Sequence, residues 1–164
     1  MSAKLIDSFE FCRQKKQQSG QTAIAEMARL SAELTDSQGE LRWSLTGGQH
    51  PSGLPQLTLE VAGEVRLMCQ RCLTPYALPI ATHTVLVLAR DDVHADETEA
   101  MLEDDRIDVI VGTTALDVLA LVEDDALLAL PLSPRHATCP DGAAAVVVND
   151  KKESPFAVLK KLKS

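Results

Sequence analysis

The sequence predicts an α+β fold: an antiparallel β-sheet meander packed against one buried helix, with short terminal helices. Three observations carry this. Apolar residues recur at every second position over much of the stretch from Leu41 to Ala89, the mark of strands with one packed and one wet face. A single apolar run, TALDVLALVEDDALLAL, has helical composition and ends at Pro131. Both ends of the chain carry short amphipathic stretches with capping residues. At 164 residues and 45% hydrophobic content the chain can bury a core of its own. Residues 1–139 are read as a single domain, 140–153 as a linker and 154–164 as a C-terminal amphipathic helix. Aromatic residues make up only 3%, so the core must rest on Leu, Val, Ile and Ala.

In chain order, DSFEFCRQKKQQ reads as a first helix. Asp7 is its cap, Glu10 is placed to return a bond to the Asp7 amide, and Gly20 ends it. AIAEMARLSAEL has the composition of a second short helix. From Glu40 the period changes to two, with Leu41, Trp43 and Leu45 alternating with Arg42 and Ser44. Gly47, Gly48 and HPSG punctuate the run, and Leu57, Leu59, Val61, Val65, Leu67 and Cys69 continue it. Gly63 inside that run marks a bulge or a close backbone approach. CLTPYALP then turns the chain and Ile80 to Ala89 forms the next strand, which completes a meander of three strands with short connections.

RDDVHADETEAMLEDD follows, with nine acidic residues between Asp91 and Asp108, the composition of a solvated or disordered loop. Ile107 to Val111 reads as a further strand. Thr114 is the expected cap of the apolar helix, with Asp117 at its third helical position. Its apolar residues go nearly all round, which predicts burial against the sheet. PLSPRHATCPDGAAA is a Pro-rich loop and linker. In SPFAVLKKLK, Ser154 caps, Pro155 takes the first helical position, and Phe156, Leu159 and Leu162 make one stripe.

The formal charge of −8 is divided unevenly. Residues 1–90 carry net +1, residues 91–150 net −13 and residues 151–164 net +4. An acidic middle repels phosphate and favours a basic partner. Readers of single-stranded nucleic acid combine a basic groove with stacking aromatics, and this chain has neither in quantity. Arg13, Lys15 and Lys16, with the lysines of the tail, would touch phosphate weakly and in a salt-dependent way. The sequence has no G-x-S-x-G, Gly-rich phosphate loop or H-E-x-x-H, and its four histidines have no recognisable catalytic partner, so no enzyme is expected. The start MSAKLIDSFEF lacks the cationic head and apolar core of a signal peptide, and no apolar run reaches membrane-span length. A cytoplasmic protein without membrane association is expected, its four cysteines being reduced thiols or metal ligands.

Cys69 and Cys72 form a C-x-x-C pair where a strand enters a turn. The plainest reading, and the preferred one, is a hairpin corner of small half-buried thiols with Arg71 at its tip. A second reading adds His136 and Cys139, spaced in the same way in HATC, to give the three thiolates and one imidazole of a structural zinc. A third is a redox pair, which calls for a helix N-terminus that a strand end does not supply. Glu123, Asp124 and Asp125 interrupt the apolar helix in its C-terminal half, where exposed carboxylates oppose the helix dipole by about 0.3 to 1 kcal/mol each. A solvated stripe paired with Lys or Arg is the common explanation, and a binding edge is the functional one.

LEVAGEVRLMCQRCLTPY, then LDVLALVEDDALLALPLSPRH with Cys139 downstream, then SPFAVLKKLK, occur in an order that resembles the YceD family of large ribosomal RNA subunit accumulation proteins. The likeness is clearest from Leu57 to His136 and at the C-terminus. It implies a ribosome-biogenesis factor that supports accumulation or processing of large-subunit (23S) rRNA, with no catalytic activity. The Cys pair is frequent in the family pattern and the His-to-Cys spacing varies, which implies that no cofactor is required, while Zn2+ stays compatible. Joined with the charge, the resemblance points to a ribosomal protein or assembly factor with a basic surface as partner, and to rRNA met indirectly or weakly. Asp104, Asp105, Glu123, Asp124 and Asp125 are the expected attracting surface, and Phe156 and Leu159 the docking face of the last helix. The alternative expectation is a zinc-stapled module that binds RNA directly through the C-x-x-C corner and the basic tail.

Overall fold

The computed structural model describes residues 4–102, 104 and 106–140. The expected C-terminal helix, with Phe156 and Leu159, and most of the linker lie outside the described residues, as does Asp105. Strand β1 (Leu5–Ile6) is followed by helix α1 (Ser8–Arg13). Asp7 caps α1 by accepting the Glu10 amide at 2.9 Å. Glu10 itself turns to Arg13 and Gln14 instead of returning to the Asp7 amide. Gly20 does not end this helix. Lys15, with φ 49°, leaves the helical path first, and Gln17–Ala23 forms strand β2. The segment QQSGQTA gives no apolar alternation because it lies at the sheet edge. Gly20 stands opposite Trp43, whose indole lies so close that a Cβ on residue 20 would sit 2.8 Å from Cζ2.

A 3-10 turn (Ile24–Glu26) leads into helix α2 (Ala28–Glu33), where a short helix was expected. Strands β3 (Glu40–Gln49), β4 (Pro55–Met68) and β5 (Pro75–Ala89) continue the meander, each antiparallel to the one before. Gly63 lies in unbroken register opposite Ile80. It is a point of close approach and not a bulge: a Cβ there would meet Leu41 Cδ2 at 2.5 Å and the Glu40 carbonyl oxygen at 2.9 Å.

The acidic segment is a helix, α3 (Asp92–Leu102), and not a loop. The reason is topological. Strand β6 (Ile107–Val111) runs parallel to β5, and a parallel pair needs a long crossover, which a helix supplies. The five-stranded sheet, in order β2-β3-β4-β5-β6, is therefore mixed where a purely antiparallel one was expected. Strand β7 (Leu116–Asp117) pairs with β1, and helix α4 (Val118–Leu128) begins directly after it. Thr114 cannot be the cap, because pairing with β1 holds residues 116 and 117 extended. Asp117 caps instead, accepting the Leu119 and Ala120 amides at 3.0 and 3.4 Å.

The fold is α+β with one main core cluster. Leu41, Leu45, Leu57, Leu59 and Val61 of the sheet meet Ile24, Met27 and Leu30, with Val118, Val122 and Ala126 of α4 in the same cluster. Val87 and Ala89 are also buried but lie outside this cluster, at the end of β5 where α3 contacts β5 and β6. Burial of alternate positions on both faces explains why this end of β5 reads as a continuous apolar run. Among the described residues, no helix is long and apolar enough to cross a membrane.

Candidate metal centre

Strand β4 ends at Met68 and β5 begins at Pro75, and the six residues between them form a tight corner. Cys69 opens it. Its amide donates to the Thr74 carbonyl at 3.0 Å, and its carbonyl accepts the Leu73 amide at 2.9 Å, with Leu73 in the left-handed region at φ 57°. This wrapping turns Cys69 and Cys72 toward one point. The segment after α4 returns to the same corner. Gln70 donates its amide to the Pro134 carbonyl at 2.9 Å, Ser133 donates its hydroxyl to the Gln70 side chain at 2.9 Å, and Arg71 Nη2 donates to the His136 carbonyl at 3.0 Å.

Cys69, Cys72, His136 and Cys139 thereby converge, with one ligand atom from each lying within 4.8 Å of all the others. Cys69 is 0% and Cys139 9% exposed, while Cys72 and His136 are half-buried. His136 Nδ1 lies 3.3 Å from Cys72 Sγ, and the His136 ring packs on Tyr76 with centroids 4.9 Å apart. The His136 amide donates to Cys69 Sγ at 3.4 Å, and Thr74 Oγ1 stands 3.1 Å from Cys72 Sγ. Burial pushes the Cys69 thiol up, yet the backbone amides of Cys72, His136 and Arg71, with the His136 ring, outweigh it and bring it to about 5. The Thr74 hydroxyl holds Cys72 below the ordinary thiol value. Burial, then the Cys72 and Cys69 sulfurs, push Cys139 up to about 11. Contact with Cys69 raises His136.

Three soft sulfurs and one imidazole make the donor set of a closed structural zinc site, so the residues present fit that metal. The redox reading finds no helix N-terminus at Cys69, since the pair lies in the turn between two strands. The sequence held the pairing signal in its two matching spacings. It held none for Arg71, Thr74 and Tyr76, which reach the cluster only through the fold.

The acidic residues are placed differently. Glu123 is buried, and its carboxylate accepts the Arg29 and Leu30 amides at 2.8 and 3.1 Å and the Arg29 guanidinium at 2.9 Å. Burial pushes Glu123 up, but these donors outweigh it and hold its carboxyl below the usual range. Asp124 also pairs with Arg29. Asp125 is buried and accepts the Thr84 hydroxyl at 2.6 Å and that of Thr82. Asp104 holds Arg106 through Nε and Nη2 at 3.0 Å each.

The family profile of the large ribosomal RNA subunit accumulation protein YceD matches residues 57–163. The chain belongs to the YceD family. The matched part of this YceD-family chain begins in β4 and takes in all four residues of the Cys3His cluster. A relative, the large ribosomal RNA subunit accumulation protein YceD of Haemophilus influenzae, is 26% identical over 166 aligned residues, covering 96% of this chain and 94% of the relative. No solved structure matches the YceD-family chain.

Proposed function

We propose that this protein supports the accumulation or processing of large-subunit (23S) rRNA, acting in the cytoplasm without catalysis and through contacts with proteins of the assembling subunit. The observation that carries this is the likeness over 96% of the chain to a protein whose name states large ribosomal RNA subunit accumulation. Charge supports protein contacts over naked RNA, because residues 91–150 carry net −13. A ribosomal protein or assembly factor with a basic surface is the partner in this reading, and rRNA is met indirectly or weakly. The exposed carboxylates of α3, Asp92, Asp96, Glu97 and Glu99, stand beside exposed Val93 and Met101 and form the attracting face. Asp104, just past α3, extends it, while Asp124, paired with Arg29, and Glu123 and Asp125, buried with partners of their own, belong to α4, which packs on the core cluster.

Depletion of the protein in cells, with a complemented control, tests the reading. The ratio of mature large-subunit to small-subunit rRNA falls selectively if it holds, and an unchanged ratio overturns it. A second reading is a zinc-stapled module that touches RNA directly, favoured by the Cys3His cluster with exposed Arg71 and Arg135 beside it. Binding to a 23S rRNA fragment that weakens on charge removal at Arg71 and Arg135, with protein partners absent, would favour it over the first.

A further inference from the structure

We propose that Cys69, Cys72, His136 and Cys139 bind one Zn2+ ion in a closed tetrahedral site, and that this ion clamps the segment after α4 onto the β4–β5 corner. The inference stands on donor geometry and is independent of the ribosomal reading.

Tetrahedral zinc with bond lengths of about 2.1 to 2.3 Å sets its ligand atoms roughly 3.5 to 3.8 Å apart. The four donors here lie within 4.8 Å of one another, so small side-chain rotations complete the site. Both halves are pre-shaped. The corner is wound by the Leu73 to Cys69 bond with Leu73 at φ 57°, and the returning segment is registered on it by the Gln70 to Pro134 bond. Hydrogen-bond donors also aim at sulfur: the His136 amide at Cys69, and the Thr74 hydroxyl beside Cys72. Such donors favour the thiolate, the form that ligates a metal, and a merely packed thiol has no need of them.

Residues 131–139 form no helix or strand, and Leu132 is fully exposed. Cys139 is nevertheless buried between exposed neighbours. The segment buries little apolar surface and is tied to the corner by a few hydrogen bonds, and coordination by His136 and Cys139 adds a stronger link that offsets its lost conformational entropy. All four positions are protein side chains, which assigns the site to structure and not to catalysis. Three thiolates around Zn2+ leave net −1, and Arg71, fixed on the His136 carbonyl, sets a cation beside it. Ligation releases the thiol protons to solvent, so assembly is favoured as pH rises. Gln70, Leu73 and Pro134 of the clamp also line an open groove of about 540 Å³ between the corner and the end of α4, so metal loss would open its wall.

The test uses the full chain purified without chelator. Elemental analysis is expected to find about one zinc per chain. Replacement by Co2+ is expected to give the thiolate charge-transfer and intense visible bands of tetrahedral sulfur coordination. Trypsin should cut after Arg135 at least roughly tenfold faster once a strong chelator is added, while cleavage within the sheet stays slow. Cys69→Ser should lose the metal, Cys12→Ser, away from the cluster, should keep it, and His136→Cys should keep it with an altered cobalt spectrum. Because Cys69→Ser can fail to fold, the cobalt spectra of the parent and of His136→Cys decide in that event. Folded protein that carries no zinc and takes up no Co2+ would overturn the proposal. So would zinc content unchanged in a folded Cys69→Ser chain, or a Cys69–Cys72 disulfide in freshly purified protein.

Discussion

At position 63 the backbone of β4 passes so close to β3 that hydrogen is the only side chain with room. A methyl group would press on Leu41 Cδ2 and on the Glu40 carbonyl oxygen, and the carbonyl, fixed in the β3 backbone, cannot give way as a side-chain end can. Gly63→Ala is therefore expected to lower stability by about 1 to 3 kcal/mol in urea denaturation. Gly48→Ala, where nothing lies within 4 Å of the added Cβ, should change it by less than about 0.5 kcal/mol. A larger loss at 48 than at 63 would contradict this account. That residue 63 was special could be read from a Gly interrupting an apolar alternation. That the reason is contact and not a bulge required the register of three strands.

Helix α4 makes sense of its acidic interruption only with α2 in place. Met27, the residue before α2, offers no side-chain cap, and the carboxylate of Glu123 accepts two of the orphan amides of that helix from across the core. The carboxylates that oppose the dipole of α4 thus stabilise the start of α2, and Arg29 returns the ion pair. Glu123→Gln removes the charge from two amide bonds and two guanidinium bonds, and is expected to cost about 1 to 3 kcal/mol at pH 7. The sign with pH follows from the lowered carboxyl. Its stabilisation is complete above the unfolded value of roughly 4.3 and is lost as pH falls through the lower folded value. Denaturation measured from pH 7 to pH 3 should show the gap between Glu123→Gln and the parent closing on the acid side. A constant gap would mean that shape, not charge, explains the position.

Over the whole molecule, charge and topology are joined by α3. The crossover that a parallel β6 requires carries the densest run of acid in the chain, so the helix that closes the sheet also forms its most negative exposed face. Asp92→Asn, Asp96→Asn, Glu97→Gln and Glu99→Gln together are expected to weaken capture of a basic ribosomal protein and to flatten its dependence on salt. Asp91 is left intact because it accepts the His94 amide at 2.8 Å. Unchanged binding with an unchanged salt slope would remove α3 from the interface.

The sequence alone settled the α+β class, the presence of strands β3 to β6, with β5 read only from Ile80 although it begins at Pro75, and the spacing of the two ligand pairs, because period-two burial and C-x-x-C or H-x-x-C spacing are local properties written in neighbouring residues. Three things waited for the tertiary structure. The edge strand β2 is held by hydrogen bonds to β3 and not by its own apolar pattern. Helix α3 exists where like charges suggested a loop, because the parallel pairing of β5 and β6 leaves the chain no shorter path. The Cys3His cluster draws residues 69 and 139 together across the whole of β5, α3, β6 and α4, a proximity that loop closure and core packing decide and no short stretch of sequence encodes.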